Sequence, residues 1–111
     1  MSSSSQQSPS KITFFERFEA DILSGKKTLT IRNEEEKHYL PNTHVDVYTF
    51  EDDRWFCRLN ILAVEPILFN NLSIEHAQQE NMTLATLKSV IQEIYPGITQ
   101  LYVIYYELVA A

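Results

Sequence analysis

A mixed α+β domain with a small curved or barrel-like sheet is the fold that the sequence predicts. Three observations carry this expectation. Segments with strand alternation are separated by unequal connections, unlike the regular βαβ alternation of a doubly wound sheet. Two helical segments stand together late in the chain. A segment of strong β propensity, ITQLYVIYYELV, then closes it. The expected order is helix, strand, strand, long strand, helix, helix, strand, with helices over the open end and one flank.

Each element has a local reason. TFFERFEADILSG reads as a helix: Thr13 with Glu16 makes a capping-box signal, Phe14, Phe15, Phe18 and Ile22 recur at helical spacing, and Gly25 is the expected stop. TLTIR follows as a strand, and NEEEKHYLPNTH as a charged, solvated loop. VDVYTF alternates, with Val45, Val47 and Thr49 on one face. EDDR turns the chain into WFCRLNILAVEPILF, one bent strand or two, with Pro66 as the bend or a strand edge. LSIEHAQQEN is a short helix capped by Ser73. Thr83 caps a longer one, whose stripe Leu84, Leu87, Val90, Ile91 and Ile94 is expected to be core, and Pro96-Gly97 ends it.

The chain has 111 residues, 44% of them hydrophobic and 22% charged, enough for one core and little more. A single domain over 11–111 is expected, preceded by a polar, disordered tail over 1–10. No apolar run is long enough to span a membrane. The single cysteine, Cys57, excludes an internal disulfide and fits a reducing, cytoplasmic setting. A formal charge of −6 argues against broad phosphate-backbone binding, so a small-molecule ligand is expected rather than a stable nucleic-acid complex. A monomer that needs no cofactor or metal is also expected.

Against that acidity, GKKTLTIR concentrates three of the nine cationic residues beside two threonines. Other chemistries find less support. His38, His44, His76 and Cys57 lack the spacing of a zinc site, and His76 with Glu80 on one helical face is equally well a surface pair. Cys57 sits in an apolar strand, where a small buried hydrophobe is expected. No phosphate loop or nucleophile elbow is present. A threonine hydroxyl becomes a nucleophile when a neighbouring base takes its proton, and a lysine serves as that base when burial or nearby positive charge lowers its pKa. Lys26, Lys27, Thr30 and Arg32 bring these requirements together, and Glu80 is a candidate proton donor. The residues alone leave open a solvated strand edge and an exposed helix glutamate.

ITFFERFEADILSGKKTLTIR, FEDDRWFC, HAQQENMTL and IYPGITQLYVI, taken in order, resemble the small bacterial single-domain ASCH proteins, a family of N(4)-acetylcytidine amidohydrolases. The similarity runs over residues 11 to 108. It implies a PUA-like mixed β-barrel flanked by helices. It also implies hydrolysis of the acetyl amide on the exocyclic nitrogen of cytosine, giving cytidine and acetate. By motif, Lys27 is implied as base, Thr30 as nucleophile and Glu80 as proton donor. Arg32, Lys26 or strand amides are candidates for holding the oxyanion. Tyr39, Phe56 and Tyr102 are candidates for stacking the pyrimidine.

Two tensions accompany the resemblance. In an extended strand Lys26, Thr28, Thr30 and Arg32 share a face, so periodicity selects Lys26 as the partner of Thr30 where the family motif selects Lys27. Both hold if Lys27 precedes regular pleating or a bulge resets the parity. An ionised Glu80 beside Lys27 would also raise the lysine pKa, so the mechanism expects Glu80 protonated in the working state, or separated from Lys27 by substrate. An RNA-binding PUA-like module and an ASCH-type ribonuclease are the alternative functions.

Overall fold

A computed structural model describes residues 10–110. Five strands form one sheet: β1 (Lys11–Phe14), β2 (Leu29–Arg32), β3 (His44–Thr49), β4 (Trp55–Leu68) and β5 (Gln100–Ala110). Their hydrogen-bonded order is β1-β3-β4-β5-β2. β1 runs parallel to β3, and the remaining pairs are antiparallel. The two edge strands come together on the inside of the roll, where the Arg32 guanidinium donates to the Thr13 carbonyl at 2.8 Å. Three helices complete the α+β fold: α1 (Glu19–Leu23), α2 (Ile74–Gln79) and α3 (Leu84–Ile94).

The first element departs from expectation. Thr13 does not cap a helix; it belongs to β1 and lies opposite Tyr48. Lys11-Ile12-Thr13-Phe14 also alternates, and pairing with β3 buries Ile12 and Phe14 on one face. Helical structure starts later, as a 3₁₀ turn over Glu16–Phe18 that runs into α1. Phe18 and Ile22 then lie four apart and both bury, each contributing about 1.5–3 kcal/mol. Ser10, expected in the tail, is tied down by its carbonyl, which accepts from the Asp46 amide at 2.9 Å. The rest of the expected tail lies outside the described residues.

β3 buries Val45, Val47 and Thr49, as its alternation predicts. β4 is one strand of 14 residues. Its pairing with β5 runs through Pro66 without a register shift, and the shifts fall at Arg58/Leu59 and Ile61/Ala63. Pro66 is nevertheless at an edge, because β3 pairs with β4 only as far as Asn60 and β5 alone flanks the strand beyond. A further irregularity opposes Val47 to Cys57 and Tyr48 to Trp55. Phe56 is the extra residue of this bulge and buries next to Cys57.

The apolar interior falls into two clusters. One fills the roll and includes Phe14, Phe18, Val47, Leu59 and Tyr106. The other joins α2 and α3 to the sheet through Leu72, Ala77, Leu87, Ile91 and Leu101. α3 commits less of its stripe to the core than expected. Leu87 and Ile91 are buried, whereas Val90 is half-buried and Ile94 is 53% exposed. That half of the stripe faces a cavity between α3 and the open end of the roll.

Candidate active site

The cavity has a volume of about 340 Å³. Thr30, Arg32, Glu36 and Glu80 supply its polar side. Aromatic residues from β1 and its following turn, with Met82 and the α3 stripe, supply the apolar side.

Lys27 reaches this region from a turn rather than from a strand. α1 ends at Leu23, and Gly25, at φ 82°, reverses the chain with a backbone that side chains other than glycine's rarely adopt. The amides of Lys26 and Lys27 both donate to the Asp21 carbonyl, at 2.9 and 3.0 Å. Regular pairing begins only at Leu29. The parity argument therefore does not apply to Lys27, which turns inward and is 2% exposed while Lys26 stays at the surface. The Lys27 Nζ donates to Glu80 Oε2 at 2.5 Å and to the Gln79 carbonyl at 3.4 Å, and it stands 4.8 Å over the Phe18 ring.

Glu80 is aimed by the end of α2. The Asn81 amide donates to the Gln78 carbonyl and the Met82 amide to the Ala77 carbonyl, while Asn81 takes φ 60°. This is a Schellman stop with asparagine in the left-handed position. The Gln79 side chain accepts from the Thr28 amide at 2.7 Å, so the last residue of α2 and the one after it hold the lysine turn. His76 is committed to the other end of the helix, where its Nδ1 accepts from the Ser73 amide in a capping box.

Thr30 lies in β2 opposite Ile104 and is 4% exposed. Its hydroxyl oxygen accepts from Arg32 Nε at 3.0 Å. No hydrogen bond joins it to Lys27, whose ammonium is held by Glu80 and Gln79. Arg32 is itself fixed on every side. It donates to Glu36 Oε1 and to the Thr13 carbonyl, each at 2.8 Å, and lies 4.8 Å over the Phe14 ring. Glu36 comes from a 3₁₀ turn, Glu34–Glu36, that Asn33 caps by accepting from the Glu35 amide. The acidic run expected to be solvated thus contributes one carboxylate to the cavity.

Electrostatics shift Lys27 towards its uncharged form. Burial is the main cause that holds its pKa below the ordinary lysine value, and the Arg32 charge acts in the same direction. Glu80 and Asp21 oppose the shift without cancelling it. Cys57 lies in the opposite regime, since burial pushes its thiol up to about 12 and makes it a poor nucleophile.

The structure brings Lys27, Thr30, Arg32 and Glu80 together and leaves four other sequence candidates apart from the cavity. Lys26 is exposed on the turn. Phe56 is turned into the core by its bulge. Tyr39 is buried, with its hydroxyl donating to the Lys11 carbonyl at 2.7 Å. Tyr102 lies under Lys37, whose Nζ is 5.6 Å from the ring centroid. The aromatic pair that does line the cavity is Phe15 and Phe50, edge to face at 5.2 Å and both exposed. Their exposure was the missed signal, because helical spacing assigned Phe15 to a core face. Glu36 was missed because an acidic run in a loop ordinarily faces water.

Comparison with known proteins bears on the family and the fold. The ASCH domain family model matches residues 10–95. A Vibrio vulnificus (strain YJ016) protein named N(4)-acetylcytidine amidohydrolase is 68% identical over 101 residues, covering 91% of this chain and 97% of its own. A protein of the same name from Shewanella sp. (strain MR-4) is 59% identical over 99 residues, covering 89% and 96%. Among solved structures, the ASCH domain from Lactobacillus crispatus JV V101 superposes with a TM-score of 0.73 at 16% identity, covering 92% of this chain and 81% of that one. The rolled sheet, its flanking helices and the sequence match have one reading: the chain belongs to the ASCH domain family.

Proposed function

We propose that this protein is an N(4)-acetylcytidine amidohydrolase, with Thr30 as nucleophile, Lys27 as base and Glu80 as proton donor. The observation that carries the reading is the bond of 2.5 Å between buried Lys27 and partly buried Glu80, with Glu80 and Thr30 both lining the cavity. The names of the full-length relatives support the substrate.

The pair reconciles two roles that conflict when each residue is taken alone. Lys27 as ammonium with Glu80 as carboxylate holds the same number of protons as a neutral amine with a carboxylic acid. Burial disfavours the ammonium form of Lys27. The neutral form supplies a base and an acid together. As substrate draws Glu80 towards the leaving nitrogen, Lys27 takes the Thr30 proton and the threonine oxygen attacks the acetyl carbonyl. Glu80 protonates the cytosine nitrogen, the C–N bond breaks and cytidine departs, leaving acetyl-Thr30, ammonium and carboxylate. Water then attacks the ester and gives a proton to Glu80. Lys27 returns its proton to the Thr30 oxygen, and acetic acid leaves, giving up its proton to water as acetate.

Arg32 serves the same step. Its Nε already holds the threonine oxygen, and its fixed positive charge favours the negative charge that develops as the hydroxyl is deprotonated and attacks. Phe15 and Phe50 at the cavity mouth offer faces for the pyrimidine. The reading has a monomer acting on a free nucleoside in the cytoplasm, without a stable nucleic-acid complex. In support, Lys11, Lys27, Arg32, Lys37, Arg54 and Arg58 each face a carboxylate, which among the described residues leaves Arg17, Lys26 and Lys88 without one, too few cations to track a phosphate backbone. Incubating the protein with N(4)-acetylcytidine and separating the products by chromatography tests the proposal. Equal amounts of cytidine and acetate are expected, and unchanged substrate would overturn it.

A further inference from the structure

Among the described residues, the Tyr106 hydroxyl is a buried side-chain polar group with no hydrogen-bond partner, on a residue 2% exposed. Buried polar groups are nearly always paired, since an unpaired one has given up its bonds to water for nothing. A phenylalanine would fill this space without that loss.

Its place in the fold is specific. Tyr106 is two residues along β5 from Ile104, the partner of Thr30, so its side chain shares the inner face with Thr30 and Arg32. The ring packs edge-on against Phe14, with centroids 5.8 Å apart. Glu80 from the end of α2, Arg32 from β2 and Cys57 from β4 are the ionisable groups that act on the hydroxyl. Burial first, and then the charge of Glu80, push the phenol above its ordinary pKa, so it remains a proton-bearing donor.

In the free protein Glu80 is bonded to Lys27, and that bond works against Lys27 as a base. Glu80 must release the lysine before Thr30 can be deprotonated. A carboxyl group whose side chain is 13% exposed then needs another partner. Arg32 is engaged with Thr30, Glu36 and the Thr13 carbonyl. We propose that Tyr106 is a positioning residue for the acid step, its hydroxyl donating to the Glu80 carboxyl once Glu80 has left Lys27 for the substrate. A neutral donor favours the carboxylate that remains after Glu80 has protonated the leaving nitrogen, and it adds no charge beside Lys27. Tyr106 transfers no proton. The inference rests on the amidohydrolase reading.

The test is Tyr106→Phe, compared with wild type in steady-state hydrolysis of N(4)-acetylcytidine and in thermal unfolding. The kcat should fall about 10- to 100-fold, the loss of one hydrogen bond to a charged group. The KM should stay within about twofold and the Tm should be unchanged or higher, because no bond is lost in the free protein. An inactive wild type would remove the amidohydrolase reading and this role with it. An active wild type with an equally active Tyr106→Phe would remove only this role. A lowered Tm would also overturn the role, since the hydroxyl would then be bonded before substrate arrives.

Discussion

In the proposed mechanism Lys27 has to accept a proton under conditions in which a lysine in water is almost entirely charged, its ordinary pKa being about 10.4. Burial provides the means, because the charged form loses its hydration while the neutral form loses little. The sign of the pH dependence follows. Only neutral Lys27 can take the Thr30 proton, so kcat/KM should rise with pH through the lowered lysine pKa and fall on the acid side of it. The midpoint of that limb, read from a pH–rate profile, is expected below the ordinary lysine range. Lys27→Arg keeps a cation beside Glu80 but not a titratable one, and should be inactive across the whole profile. Glu80→Gln cannot protonate the leaving nitrogen and should lower kcat by about 10²–10⁴-fold, measured as cytidine release. The identity of the lysine was only half legible in the sequence. Alternation pointed to Lys26, and the deciding fact was a backbone one, the left-handed Gly25 and two amides converging on the Asp21 carbonyl. Phe56 and Tyr39 show the same limit. An aromatic in a strand or loop reads alike whether a bulge turns it into the core or leaves it at a pocket.

The elements matter here through their ends. α2 has only six residues, and its functional feature is its stop, which points Glu80 back at Lys27. Asn81 tolerates φ 60°, and glycine would tolerate it better. Asn81→Ala should cost about 1 kcal/mol in chemical denaturation and lower kcat with it, whereas Asn81→Gly should retain both within a small margin. The Glu34–Glu36 turn acts similarly on Arg32. Glu36 is partly exposed, so Glu36→Ala should change stability by no more than about 1 kcal/mol. It should still lower kcat about tenfold, because Arg32 loses the anchor that sets its angle to Thr30. Most elements were legible because their patterns are local: β3 alternates, Thr83 caps α3, and Gly97 follows its end. β1 was not, since its four residues are held by parallel pairing with a strand more than 30 positions away, and the local Thr13/Glu16 signal suggests a helix instead. The α3 stripe was half legible. Periodicity marks an apolar face, but it does not distinguish a core from a cavity wall.

At the scale of the whole molecule, a rolled sheet brings its two edges together at the place where chemistry is proposed. Arg32 spans from β2 to the β1 carbonyl of Thr13, and the same guanidinium holds Thr30, the proposed nucleophile. The fold and the candidate site are therefore joined through one side chain. At this site Lys27 and Arg32 are paired to carboxylates and Arg17 lies over the Phe15 and Phe18 rings, which suits an uncharged nucleoside better than a polyanion. Retention on immobilised RNA at low ionic strength should be no greater than that of an unrelated protein of similar pI. Retention that weakens steeply with salt would speak for an RNA-binding role. The family motif made the class of reaction legible. The sequence did not disclose that Lys27 and Thr30 lack a direct bond in the free protein, because that depends on where α2 lays Glu80. The claim that Thr30 carries the acetyl group is tested most directly by the rate of cytidine release from N(4)-acetylcytidine by wild type and by Thr30→Ala. The mechanism predicts turnover by wild type and a fall of about 10³-fold or more in the variant. A Thr30→Ala protein that hydrolyses the amide at the wild-type rate would contradict it.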